Sequence, residues 1–404
     1  MAIAIFLAFM MIAGTSGAFA VEGDGTTQSD GSTDPGSAGT SESGSTGTCS
    51  TDTGSTGTCS TDTCSTDTPE VSTAPAAAGD VSTNAIVIRG IYIWASQLST
   101  INPADIASKY TDVYFLTRST SGANYVPELI AAMNALHPLN VRVHAWMVCF
   151  KNGGSFVNPS GFYSYTVPVY LYSTKRWGKK LVAYKVKKRG KYIIKYRYKK
   201  GWIYTPVYGY NTVTGYDTSY TDTLVNYIGD VSTVKDGMGN YVDGIHLDYV
   251  RYSGVGANAA YNQPGGAIAA RDTITNFVKR VHDKVRPTAW LTAAVMPETS
   301  NNEFYYGQCY SAMGQYLNYE VPMIYKGNYG QSTAWIQATT QWIATHSGGT
   351  PIIAGLQTYR SDSQPTPIPY SELLNDVWKS QDGGALGFAF FRYGLLNWNG
   401  YVNP

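Results

Sequence analysis

Two acidic residues stand where runs of apolar residues end. In Asn240-Tyr-Val-Asp-Gly-Ile-His-Leu-Asp-Tyr-Val-Arg-Tyr252, Ile245, Leu247 and Tyr249 alternate with His246, Asp248 and Val250. Successive side chains on a strand point to opposite faces. Asp248 thus shares a face with His246 but sits further along, where a central strand leaves the core. A carboxylate there is costly unless it is hydrogen-bonded or does chemistry; capping the next loop is the plainer alternative. Glu298, in Val295-Met-Pro-Glu-Thr299, closes the following run. Coming after a proline, it is equally suited to begin a helix, where an acid favours the dipole. Adjacent strands lie about 4.8 Å apart, so two carboxyls at neighbouring ends can face one another across a cleft. That pairing suits general acid–base or nucleophilic work on a single bond.

Positioning two such groups takes a sheet of many strands. Short apolar runs bounded by turn signals occur at 86–95, 112–117, 141–150, 242–251, 290–296, 320–326, 351–358 and 385–393, each read as a strand. Helical patterns fall between most of them, at 103–110, 126–136, 268–285, 335–346 and 370–380. The first follows Asn102, placed as an N-cap with proline at the first helical position. Eight strand–helix units predict a parallel sheet closed into a (β/α)8 barrel. An open doubly wound sheet is the alternative, weakened because no G-x-G-x-x-G follows the first strand. In a barrel, site residues sit at strand C-termini, where Trp146, Tyr249, Arg251, Tyr325, Tyr359 and Arg392 all fall. Aromatic rings there can stack on an apolar ligand face and arginines can hold acidic groups, although each ring could equally be core. His144 and His246 are inward candidates on neighbouring strands. A lone His is more often a satisfied core residue, and no third ligand is spaced to join these two on a metal. Glu320 and Asp243 lie at strand starts and read as structural. No cofactor is expected.

Residues 2–13 are apolar, Gly14 to Gly17 are small, and Ala18-Phe19-Ala20 resembles a signal-peptidase site, although no Lys or Arg precedes the run. Residues 1–20 therefore read as a cleaved export signal, with an uncleaved anchor as the alternative. Residues 21–84 are mostly Ser, Thr, Gly and Asp, with Cys-Ser-Thr-Asp-Thr at Cys49, Cys59 and Cys64. Such a tract buries too little apolar area to offset its chain entropy, so a disordered linker is expected. Its cysteines could cross-link chains outside the cell but are not spaced as a zinc site. The pairing of Cys149 and Cys309 stays open at this level.

Residues 85–404 then form one domain interrupted by an insertion at 153–216. Between Thr166 and Thr212 there are 13 Lys and Arg and no Asp or Glu; removing that charge from the formal +1 leaves the rest of the chain at −12. Alternations such as Lys191-Tyr-Ile-Ile-Lys-Tyr-Arg-Tyr198 predict one or two twisted β-hairpins at the barrel mouth. Interleaved Tyr and Lys/Arg suit nucleic acid or an anionic polymer. The same lysines would also serve simply to keep an edge strand from pairing.

Several of these segments resemble a known family. Val141-Arg-Val-His-Ala-Trp146 is similar to the third-strand VHAW signature of the bacterial glycoside-hydrolase-like family 10 proteins. Asp243-Gly-Ile-His-Leu-Asp-Tyr-Val-Arg251 resembles their fourth strand and that of related glycoside hydrolase barrels, and Val321-Pro-Met-Ile-Tyr325 their sixth. The resemblance runs in matching order over most of 86–393, excluding the insert. It implies a secreted or envelope-associated TIM barrel acting on polysaccharide. His246 and Val250 stand where the chitinase-type DGxDxDxE strand has acids, so a substrate-assisted chitinase mechanism is not implied. The insert is similar in composition to tracts in surface proteins of methanogenic archaea, which would make a pseudomurein-type wall a candidate substrate.

An Asp on strand four and a Glu on strand five also resemble the alpha-amylase type of barrel. That analogy implies Asp248 as nucleophile or base and Glu298 as general acid, with His144, Trp146, His246, Tyr249, Arg251, Tyr325, Tyr359 and Arg392 as substrate-binding residues. The expected function is a secreted glycosidase using two carboxyls, held at roughly 5–5.5 Å if retaining or about 6.5–9.5 Å if inverting. A surface glycan-binding protein without catalysis, its basic insert gripping an anionic polymer, is the second reading. A nucleic-acid binder built on the insert is the third, disfavoured by export. A protease is disfavoured because no G-x-S-x-G or H-E-x-x-H is present, and Cys149 near His144 is the one hint of a Cys–His pair.

Overall fold

The computed structural model describes residues 87–254 and 266–397. The segment expected to direct export and the tract 21–84 with its three cysteines lie outside the described residues. Eight parallel strands form the centre: β1 Ile88–Ile93, β2 Asp112–Arg118, β3 Arg142–Val148, β4 Gly244–Asp248, β5 Trp290–Val295, β6 Tyr319–Pro322, β7 Ile353–Gln357 and β8 Gly387–Phe391. Their order is β6-β5-β4-β3-β2-β1-β8-β7. Parallel bridges Glu320 to Ile352 and Met323 to Gly355 join the two ends. The sheet is therefore a closed (β/α)8 barrel, as the strand–helix alternation predicts.

The outer layer comprises α1 Pro103–Lys109, α2 Val126–Leu136, α3 Ser219–Val231, α4 Gly266–Lys284, the short α5 Asn302–Tyr306 and α6 Tyr310–Gly314, α7 Thr333–His346 and α8 Tyr370–Asp382. Asn102 accepts from the amides of Ala104 and Asp105 as the N-cap of α1. Helix α3 was not anticipated, although Leu224, Val225, Ile228 and Val231 are buried at helical spacing. Glu320 lies inside β6 rather than before it. No helix of the described residues is long and apolar enough to cross a membrane.

Strand alternation divides the core in two. Outward residues such as Ile91, Val113, Val143, Ile245 and Leu247 pack under the helices. Inward residues Ile88, Tyr92, Tyr114, Trp146, Tyr319, Val321, Ile353 and Ala389 fill the barrel. The lower barrel is polar but satisfied. Asp112 pairs with Arg142 through Nε and Nη2, each at 2.7 Å, and with Nε2 of fully buried His144 at 2.9 Å. Burial works to raise the Asp112 pKa, yet these hydrogen bonds hold it well below the usual carboxylate range. Gly244 is needed beside this cluster, because a Cβ there would lie 2.4 Å from His144 Nδ1.

Beneath the barrel, His137 donates from Nδ1 to Asp236 at 2.7 Å and from Nε2 to Asp243 at 3.0 Å. Asp243 also accepts from the Val143 amide at 2.7 Å, so this acid is structural, as its place at a strand start implies. Burial opposes the charged imidazole, but both carboxylates raise its pKa; Asp236, also resisted by burial, falls to about 2. A raised His pKa gives stability that is complete below the unfolded value near 6.5 and lost as pH climbs through the folded value. The depressed Asp236 gives stability present above about 4 and lost as pH falls toward about 2. His137→Asn should therefore cost roughly 1 kcal/mol between about pH 4 and 6.5, and the cost should fade at alkaline pH. Melting temperatures across pH test this; a deficit that grows with alkalinity contradicts it.

The insert leaves the barrel after β3. A small hairpin, Lys151–Asn152 with Ser155–Phe156, comes first. A ribbon of two long strands follows, Phe162–Lys188 and Lys191–Tyr216, paired from end to end with one irregularity at Tyr170/Tyr172. Arg189 and Gly190 turn it with φ of 49° and 79°, the two left-handed residues a tight hairpin turn requires. At its root, buried Arg118 donates to the Val148 carbonyl and to the Tyr220 hydroxyl at 3.1 Å, and Tyr220 donates to the Cys149 carbonyl at 2.6 Å.

Candidate active site

Asp248 is the last residue of β4 and faces into the barrel mouth, paired in register with Val148. The Trp146 indole N–H donates to its Oδ2 at 2.9 Å and the Tyr249 amide to its Oδ1 at 2.6 Å. Tyr249 takes φ 50° to turn the chain here. Burial raises the Asp248 pKa; the Trp146 and Tyr249 bonds and the charges of Arg251 and Lys151 pull against that rise. The group is thus an acid whose ionised form is held by two donors in a dry setting.

Glu298 follows β5 and precedes a single 3-10 turn, Thr299–Asn301. The hydroxyls of Tyr306 and Tyr329 both donate to its Oε1, at 3.0 and 2.6 Å. Its Oε2 is buried with no partner. Burial raises this pKa too, opposed by the two tyrosines and by Arg251. An oxygen that accepts two bonds is a poor place for a proton, so the protonated acid carries it on Oε2. Removing the shorter bond with Tyr329→Phe withdraws support from the carboxylate and should move the Glu298 pKa further up. The alkaline limb of any activity profile should shift upward with it; a downward shift contradicts this assignment of donors.

Arg251 connects the two acids. It is buried, donates to the Tyr252 carbonyl at 3.1 Å, and its guanidinium lies 5.0 Å from the Tyr306 ring, 5.3 Å from Tyr249 and 5.1 Å from Phe156. Its charge lowers the pKa of both Asp248 and Glu298. Lys151, 5.1 Å from the Tyr249 ring, adds a second cation on the side of the insert.

Across from Asp248 the rim is aromatic. Phe391, ending β8, packs 5.5 Å from Tyr92 and 6.1 Å from Trp146, and stacks on Tyr325 at 5.4 Å. Arg392 lies 4.0 Å from the Trp94 ring. Tyr359 is buried and its hydroxyl donates to Asp362 at 2.6 Å. His246 sits one layer below Asp248, fully buried, with Nε2 2.8 Å from the Tyr92 hydroxyl and Nδ1 2.9 Å from Thr292 Oγ1. Burial, with neighbouring His144, pushes its pKa well below the usual value, so it is neutral.

The structure therefore brings Trp146, Tyr249, Arg251, Tyr325 and Arg392 to the rim with the two acids. It places His144 and His246 inside the barrel, bonded to other barrel residues, with no surface to offer a ligand. Tyr306, Tyr329, Trp94, Phe391, Lys151 and Phe156 were not singled out from sequence. Trp94 follows β1 and Phe391 ends β8, so the strand-end rule that covers the other aromatics covers them as well. Nothing local marks Tyr306 or Tyr329. Cys149 is an unpaired thiol in the layer beneath the helices, on the face away from His144, and burial pushes its pKa up. That removes the Cys–His arrangement and any Cys149–Cys309 bridge. Among the described residues no group of three or more His, Cys, Asp or Glu could hold a metal ion.

A family model described as "Putative glycosyl hydrolase domain" matches residues 180–346, a span that includes β4, β5 and β6 with Asp248 and Glu298. Solved structures similar in fold include the PgaB (BpsB) glycoside hydrolase domain from Bordetella bronchiseptica, at 10% identity over 76% of this chain and 95% of that one, TM-score 0.48. A class V chitinase from Pseudomonas fluorescens matches at 11% identity over 76% and 96%, TM-score 0.47. The Bacillus cereus spore cortex-lytic enzyme SleL matches at 12% over 76% and 71%, TM-score 0.45. These are distant likenesses of fold. No curated protein matches the chain. Residues 180–346 are thus similar to a glycosyl hydrolase domain; the finer likeness to the family-10-type proteins rests on the strand motifs.

Proposed function

We propose that this protein is a glycosidase that cleaves a cell-wall or other extracellular polysaccharide outside the cell. The observation that carries this reading is the pair of buried carboxyl groups at the C-terminal rim, both raised in pKa by burial and both under the pull of Arg251. In this reading Asp248 is the nucleophile or base, because each of its oxygens accepts a donor and two cations favour its ionised form. Glu298 is the general acid, because one oxygen is free to carry the proton. The rim aromatics supply flat faces for sugar C–H surfaces. Glycosidic cleavage by two carboxyls divides into these same roles.

Binding without cleavage has one specific observation in its favour: Glu298 Oε2 is buried with no hydrogen-bond partner. Proton delivery from it requires the carboxyl or the Tyr329 loop to turn when a chain binds. The deciding experiment measures new reducing ends from a panel of wall and extracellular polysaccharides, with wild type and Asp248→Asn side by side. Release by wild type that the variant lacks supports the glycosidase. Binding by both with release by neither makes the protein a glycan binder.

A further inference from the structure

The ribbon has an order that composition alone does not convey. In its second strand, Lys191–Tyr216, all seven tyrosines and Trp202 occupy even positions, so all eight rings project from one face. Each is exposed, from 43% at Trp202 to 72% at Tyr198 and Tyr210. The register sets Trp177 opposite Trp202 on that face, and their rings meet edge to face at 5.3 Å. Lys175 lies over the Trp202 ring at 4.5 Å. Lys179, Lys185, Lys187 and Lys200 share this face through the same pairing. The irregularity at Tyr170/Tyr172 shifts the first strand by one residue, which brings Tyr170 onto the ring face opposite Tyr208. On the other face Val182, Tyr184 and Val186 are half-buried.

A two-stranded ribbon is marginally stable in water without a layer on one face. This one runs for roughly 85 Å at ~3.3 Å per residue, and among the described residues nothing layers over its ring face. A second copy is a poor cover, since the five lysines of this face would meet five more. A polyanion with flat apolar faces fits both the charge and the rings. The ribbon springs from the rim beside Lys151 and Phe156, which contact Tyr249 and Arg251 next to Asp248.

We propose that the tyrosine–tryptophan face of the ribbon is a docking track for an acidic polysaccharide, which it holds next to the barrel mouth. This rests on the glycosidase reading for its choice of sugar over nucleic acid, whose bases would stack on the same rings.

The test measures binding of the full chain to polygalacturonate, to an uncharged glucan and to an oligodeoxythymidine. Polygalacturonate should bind tightest, and less so as salt is raised. Tyr198→Ser with Trp202→Ser and Tyr204→Ser should weaken it roughly 10- to 100-fold, since three ring faces are lost. Val182→Ser with Tyr184→Ser and Ile203→Ser, on the opposite face, should change it less than about threefold, since no stacking contact is lost there. Lys175→Gln with Lys179→Gln, leaving every ring in place, should also weaken binding, which covers the event that the ring variant loses the hairpin. Equal losses from the two faces, tighter binding of the oligodeoxythymidine, or no binding of polygalacturonate overturns the proposal. Cleavage of a short uncharged aryl glycoside is read in parallel and should be unchanged by the ribbon variants. If binding holds and nothing is ever cleaved, the glycosidase reading fails alone; if cleavage holds without polygalacturonate binding, the track fails alone.

Discussion

Asp248→Asn should reduce turnover on any cleaved polysaccharide by about 10³-fold or more, while the protein stays folded. The amide cannot ionise, so it neither attacks the sugar nor activates water, a role worth several orders of magnitude in rate. Two effects on stability oppose one another. Removing a buried acid whose pKa burial has raised relieves a penalty at neutral pH, because a raised carboxyl destabilises the fold as pH passes its unfolded value. Against that, Trp146 and Tyr249 each donate to a different oxygen, and the amide nitrogen must face one of those donors. The melting temperature should therefore stay within about 3 °C of wild type, a shift of about 1 kcal/mol in a domain of this size. Turnover near the wild-type level in a folded variant would remove Asp248 from the chemistry.

Glu298→Gln should cost roughly 10²- to 10⁴-fold with natural polysaccharide, the range for losing a positioned acid. The loss should shrink sharply with an aryl glycoside whose leaving group needs no proton. The pH profile supplies a second readout. With the proposed roles, activity requires Asp248 ionised and Glu298 protonated, so the acid limb should follow Asp248 and the alkaline limb Glu298. Both are raised by burial, which moves both limbs upward from ordinary carboxyl values. In the variant the alkaline limb should vanish and the acid limb remain. An alkaline limb that persists assigns the proton to another group.

Sequence alone determined the barrel and the level at which its two candidate acids sit. Strand–helix alternation is a local property, written in the spacing of apolar residues, and eight such units leave few ways to close a sheet. The end of β4 was equally legible, since period-two alternation places Asp248 above His246 whatever the rest of the chain does. Helix α3 is less legible because it begins three residues after the Tyr- and Lys-rich strand ends, and its apolar face is only Leu224, Val225, Ile228 and Val231.

Tertiary structure decided what surrounds each acid. Tyr306 and Tyr329 reach Glu298 from separate elements, a pairing no spacing rule encodes. The interior position of His144 and His246 depended on which layer each occupies, set by the stagger of strands around the barrel. Cys149 and His144 are close in sequence yet face opposite sides of the sheet. The ribbon shows the division most plainly. Its alternation was visible as a pattern, but which first-strand residues join the ring face depends on the pairing register and on a one-residue shift at Tyr170/Tyr172. Intervals along a chain specify local periodicity; contacts between distant segments, and the burial that moves a pKa, exist only once the chain has closed on itself.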